Sequence, residues 1–267
     1  MLLLGTAASG LRAQQDALNI LGNNMANLDT TGYKANQIDF AETLATLERS
    51  ANPGGTGGTA NPAGTLGNLS VGSGVLYNAV GTDFQQGVLV STGRPLDLGI
   101  NGLGFFQVKL PDGTTGYSRD GALQIDGAGQ LTDSKGNIIQ PSINIPQGTT
   151  DLAVAANGII TGNINGTTKP LGQISLTVFT NPESLQNLGN NIFIPTASSA
   201  TPQVGAPGSA MGNQVLGTIQ SQSLEQSNAN MTTLMTDLIQ AQRAYQLNAN
   251  MVTDGDQMWS LANSLRR

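Results

Sequence analysis

The chain has 267 residues, a formal net charge of −6, and neither cysteine nor histidine. Its 11 Lys and Arg are scattered, which excludes a nucleic-acid surface built on clustered cations, and the missing Cys and His remove disulfides, thiolate metal sites and the commonest general base. Charged residues are 10% of the chain, against about 25% in ordinary soluble domains, and the polarity comes from Asn, Gln, Ser, Thr and 35 glycines, a surface that packs against neighbours without stranding charge.

The first residues, MLLLGTAASGLRAQQ, place their first cation at Arg12, behind the short run Leu2–Leu4, so they do not read as a cleavable secretory signal. No apolar run approaches the roughly 20 residues of a membrane span. Leu4, Leu11, Leu18 and Met25 recur every seven residues, and Ala7, Gln14, Leu21 and Leu28 follow each by three, the pattern of a heptad helix. Gly5, Gly10 and Gly22 weaken that helix by about 1 kcal/mol each relative to Ala, so it needs a partner. The pattern stops abruptly among the Asn, Asp, Thr and Gly of ANLDTTGYK, Ala26 to Lys34.

Ser50 to Gly67, SANPGGTGGTANPAGTLG, reads by composition as a loop or linker, and Thr201 to Asn213 reads similarly. Between them the period changes to two. Gly104 to Leu131 alternates apolar and polar residues around turns at Pro111-Asp112-Gly113 and Asp126-Gly127. Further strands are predicted at 96–100, 137–145, 151–154, 158–161 and 173–179, and Asn181-Pro182-Glu183 reads as the start of a short helix to Leu188. At the C-terminus Leu224, Met231, Leu238, Tyr245, Val252 and Trp259 recur every seven residues. Leu234, Ala241 and Ala262 form a companion row interrupted by Asn248 and Gly255, and Met235 and Ile239 widen the stripe. With no proline from Leu224 to Leu265, this predicts a helix of about 40 residues, roughly 60 Å long at 1.5 Å per residue.

The fold class is therefore α+β: terminal helices pairing as a coiled coil, an inserted antiparallel β-rich domain, and extended connectors. The boundaries are helices at 1–30 and 224–267, connectors at 31–82 and 201–223, and the β-rich domain at 83–200. Apolar residues beyond one seam (Leu2, Leu3, Ile20, Met251, Met258) point to contacts with further copies of the chain. No catalytic arrangement emerges. Gly102-Leu103-Gly104 lacks the third glycine of a dinucleotide fingerprint, GGTGGTANPAG lacks the lysine of a phosphate loop, and Asp126, Asp133 and Asn137 fit turns rather than a calcium loop. No cofactor or metal is expected.

NNMANLDTTGYK, Asn23 to Lys34, closely resembles the N-terminal signature of bacterial flagellar rod and hook proteins, with Asn24, Asn27, Thr30, Gly32, Tyr33 and Lys34 in its key places. Glu225 to Met258 resembles the closing segment of that family, with its Ser-Asn-x-Asn start and the run Gln242, Arg243, Ala244, Tyr245. GRPLDLGINGLGFFQV, Gly93 to Val108, resembles its middle. Order and length look most like the distal rod type, which carries a stiffening segment where 47–68 stands here; the proximal rod paralogue is the nearest rival.

The resemblance implies a structural subunit of the basal body, exported without a cleavable signal and polymerising into a helical tube around the export channel. Its partners would be other copies of itself, proximal rod and hook subunits, the surrounding bushing rings and the export apparatus. Leu4, Leu11, Leu18, Leu21, Met25 and Leu28 would carry the inner helical seam with Leu224, Met231, Leu234, Leu238, Tyr245, Val252 and Trp259. A secreted adhesin or surface-layer subunit, and a β-domain glycan hydrolase, are the readings from other classes.

Overall fold

The computed structural model describes residues 2–42, 46–47, 70–71, 75–211 and 214–265. The Gly- and Pro-rich stretch 50–67, and with it nearly all of the 47–68 segment, lies outside the described residues. Helix α1 runs Leu2–Ala26 and helix α2 runs Met231–Ser264; β-strands fill much of the rest, so the chain is α+β. Among the described residues no helix is long and apolar enough to cross a membrane. The chain divides into two compact units.

The first unit comprises Met1–Gly22, Gln37–Val80 and Thr232–Arg267. Among its described helical positions, the buried ones are Ala7, Ala13 and Ala17 on α1, with Leu234 and Ala241, seven apart, on α2; all but Leu234 are small. Small residues let backbones approach. A Cβ added to Gly10 would meet the Asn248 amide nitrogen at 2.9 Å. The strand Thr46–Leu47 pairs antiparallel with Ser70–Val71.

The second unit comprises Asn23–Asn36 and Gly81–Met231. Its main sheet has nine strands, with Phe105–Lys109 central; that strand pairs with Thr115–Ser118, Ile138–Gln140 and Leu176–Val178. Alternation along it sends Phe106 and Val108 into one cluster, with Leu98, Ile100, Leu131, Ile139, Ile160 and Ile174, and Phe105 into a second with Tyr117, Phe179 and Phe193. Phe105 and Phe179 meet edge-to-face with centroids 5.8 Å apart, and Tyr117 meets Phe179 at 4.8 Å.

The expected turns form by side-chain capping. Asp112, Asp126 and Asp133 each accept backbone N–H bonds through Oδ1, from Thr114, from Ala128 and Gln130, and from Lys135 and Asn137. Two expectations are corrected. The helix expected after Asn181 is a single 3-10 turn, Pro182–Ser184, and the next residues form the strand Gln186–Gly189 against Ile192–Ile194. The stretch 201–213, read as linker from its composition, carries the strand Gln203–Gly205, which pairs with Leu176–Val178. Sheet pairing overrides a Gly- and Pro-rich composition because it satisfies backbone groups that the core would otherwise leave unpaired.

Candidate functional site

The site is a junction inside the second unit, where the segment after α1 meets the segment before α2. The last turn of α1 supplies Asn23, Asn24 and, just beyond, Asn27. Asn24 is buried and uses its whole amide locally: Nδ2 donates to Asn36 O at 2.8 Å and Oδ1 accepts from Asn36 N at 2.9 Å. The Tyr33 hydroxyl lies 2.9 Å from the Oδ1 atoms of both Asn23 and Asn24. The Thr30 hydroxyl donates to Asn27 Oδ1 at 3.2 Å, and Asn27 Nδ2 donates back to Asn23 O at 2.9 Å. These amides end the helix and fold the chain back on itself, which is why the apolar pattern stops where it does.

Gly32 is demanded twice. Its φ is +66°, in the left-handed region, and a Cβ there would stand 2.7 Å from Asp120 N and 2.8 Å from the Arg119 carbonyl carbon. Its own N–H donates to Glu225 O at 2.8 Å. The next residues, Tyr33 and Lys34, are buried.

Glu225 is the hub. Its Oε1 accepts from Lys34 Nζ at 2.6 Å and from Gly87 N at 2.9 Å, and its Oε2 accepts from Arg119 Nη1 at 3.3 Å. Lys34 also donates to Gln85 O at 2.6 Å. All three charges are out of water, with side chains 0%, 1% and 2% exposed for Lys34, Glu225 and Arg119. The Arg119 guanidinium also sits 5.3 Å over the Phe105 ring. Asn228 closes the junction: its Oδ1 accepts from Ala35 N and its Nδ2 donates to Asp83 O, both at 2.8 Å.

Burial pushes the Lys34 ammonium below its ordinary value, against the pull of Glu225, and likewise lowers Arg119. Burial raises the Tyr33 and Tyr117 phenols. For a phenol whose folded pKa is raised, the fold disfavours the phenolate, so its stabilisation is whole below the ordinary value near 10 and is lost as pH rises through the folded pKa. Ultraviolet titration should therefore show a late tyrosine component above pH ~10, and Tyr33→Phe should remove part of it while Tyr117→Phe removes another part. An unchanged curve in Tyr33→Phe would contradict its burial.

The arrangement is closed, charged and cross-braced, and suits holding two distant segments together. Among the described residues no group of three or more His, Cys, Asp or Glu could hold a metal ion.

The structure brings Asn24, Asn27, Thr30, Gly32, Tyr33 and Lys34 together at this junction. Gln242 and Arg243 are exposed on α2 and Ala244 is half-buried. Of the expected seam, Leu11, Leu18, Leu21, Met25, Leu28, Leu238 and Val252 are half-buried, Leu234 is buried, and Met231, Tyr245 and Trp259 are exposed; the Leu4 side chain lies outside the described residues.

The helical placement of Leu224 is corrected. It lies in the strand Ser223–Glu225, opposite Val90, and α2 begins only at Met231. The strand alternation buries Ser223 and Glu225 and half-exposes Leu224, which a helix could not do while placing Glu225 on Lys34. The helix is thus 34 residues, not about 40. Arg119, Glu225 and Asn228 are the site residues that pattern reading missed. A usable signal existed, since Glu225 is the sole charged residue between Glu183 and Asp237.

Three family models match the chain. Residues 4–34 match the flagella basal body rod protein model, 99–162 the flagellar hook protein FlgE/F/G D1 domain, and 220–265 the flagellar basal body rod FlgEFG protein C-terminal model. The junction unites residues from the first and last of these. The flagellar basal-body rod protein FlgG of Caulobacter vibrioides is 35% identical over 269 residues, covering 100% of both chains. FlgG of Agrobacterium fabrum is 37% identical over 98% of each chain, and the flagellar hook-basal body complex protein FlhP of Bacillus subtilis is 31% identical over 98% of each.

Proposed function

This chain belongs to the FlgG family of flagellar basal-body rod proteins, and from that premise we propose that it is the subunit of the distal rod, polymerising with copies of itself into a stiff helical tube. The tube encloses the export channel and passes torque from motor to hook. In this reading α1 and α2 form coiled-coil seams within and between copies. The burial of Leu234 and Ala241 and the close approach of Gly10 to Asn248 support the intrachain part. Exposed Met235, Ile239, Leu247, Met251, Met258 and Trp259 support the contacts between copies, because a stripe of this size is costly to leave in water.

The observation that carries the reading is the full-length likeness to FlgG proteins. The remaining partners are proximal rod and hook subunits at the tube's ends, the bushing rings around it, and the export apparatus that delivers each chain beyond the cytoplasm. Chains that order only on assembly suit that delivery. The motif residues Asn24 to Lys34 then hand torque from the last turn of α1 to the β-rich unit.

Electron microscopy of basal bodies from cells lacking this chain tests the reading. Truncated rods without hooks are expected. Rods missing only their distal part would separate this role from that of a proximal paralogue, and complete hook–basal bodies would overturn it.

A further inference from the structure

The junction joins parts of the chain that are far apart: Lys34 and Glu225 are separated by 191 positions, and Arg119 and Glu225 by 106. The apolar core of the same unit is complete without it. Both hydrophobic clusters are built from residues between Phe84 and Ile219. Residues 31–36 are also tied to the segment that follows that core. Gly32 N and Lys34 Nζ donate to Glu225, Ala35 N donates to Asn228 Oδ1, and Asn228 N donates to Tyr33 O. Glu225 and Gln226 in turn hold the 87–89 backbone, through Gly87 N and Val88 O. Residues 31–36 also bond the body directly, through Lys34 Nζ to Gln85 O at 2.6 Å, Asn191 Nδ2 to Thr31 O and Asp83 N to Ala35 O at 2.8 Å, Thr82 Oγ1 to Asn36 Oδ1 at 3.1 Å and Thr31 Oγ1 to Asp120 at 3.2 Å, but none of these brings a carboxylate to Lys34 or Arg119.

Charge makes the dependence strict. If Lys34 docked before residue 225 arrived, it would bring a second cation beside Arg119, away from water, with no carboxylate to balance either. Closing so long a loop is also entropically late. We infer that the Lys34–Glu225–Arg119 cluster is a latch that only a complete chain can close: the β core forms first, and residues 31–36 stay undocked until Ser223–Asn228 arrives. The N-terminal motif is thereby kept open until the C-terminal segment is present in the same molecule.

Pulse-labelling hydrogen exchange during refolding of the full chain tests this. The amides of Leu98 and Leu123, bonded to Gly121 O, should gain protection first. Those of Gly32, Ala35 and Gln226 should follow together in a later step. In Glu225→Gln the core amides should protect at the wild-type rate, while Gly32 and Ala35 exchange about tenfold faster or more in the final state. Thr31→Val, which removes the bond to Asp120, should leave the order unchanged. Protection of Ala35 before Gln226, or together with Leu98, would overturn the inference. So would a Glu225→Gln chain in which core and motif slow alike. If Glu225→Gln does not fold, the wild-type order decides. The readout uses the isolated chain, so its outcome is separate from that of the rod assignment.

Discussion

Glu225→Leu should lower the melting temperature of the β-rich unit by roughly 6–20 °C, from about 3–5 kcal/mol for breaking a buried ion pair and about 2–4 °C per kcal/mol in a unit of this size. The reason is charge count. Lys34 and Arg119 share one carboxylate, so its loss leaves two buried cations, and the backbone N–H of Gly87 loses its acceptor as well. Lys34→Met is the informative contrast. It leaves Glu225 and Arg119 paired one to one, and the methionine fills most of the space of the lysine stem, so the expected cost is only about 1–2 kcal/mol. Scanning calorimetry of the two variants checks the ordering. Equal losses would mean that the hydrogen bonds of Lys34, rather than the balance of charge, hold the junction.

The two halves of this cluster were unequally legible. The stop of α1 is local chemistry: Asn24, Asn27 and Thr30 are hydrogen-bonding residues that compete with a helix, and Gly32 takes a φ that other residues avoid. Such signals can be read from a dozen consecutive residues. The start of α2 could not be read this way. Its heptad row continues back to Leu224, and periodicity gives no sign that the chain leaves the helix there. What decides it is the pairing of Ser223–Glu225 with Leu89–Ser91 and the burial of Glu225, both set by segments more than a hundred residues away. The strand Gln203–Gly205 was hidden for the same reason, since its partner Leu176–Val178 supplies the order that its own composition lacks. Alternation at Phe105–Lys109 was legible because one strand carries both faces of the core. The lone acid at 225 stands out in a stretch that carries no other charge between Glu183 and Asp237, and in the fold it meets Lys34 and Arg119.

Leu238→Asp should abolish rod assembly while leaving the β-rich unit folded. Leu238 is half-buried on α2, in the row of Met231 and Tyr245, both exposed. A carboxylate there would have to be desolvated in any coiled-coil seam, without a cation in register: the only basic side chain described on α2 is Arg243, which is exposed. The helix lies outside the unit that holds both hydrophobic clusters, so the melting of that unit should match wild type. Leu238→Ala, which shortens the side chain but adds no charge, should weaken assembly without preventing it. The pair separates two causes. Loss of rods in both variants, with a lower melting temperature, would place Leu238 in the fold of the subunit. Loss in the aspartate variant alone, with melting unchanged, would place it in the seam. Normal rods from Leu238→Asp would remove this helix face from the assembly and turn attention to the β-rich unit as the source of the contacts between copies.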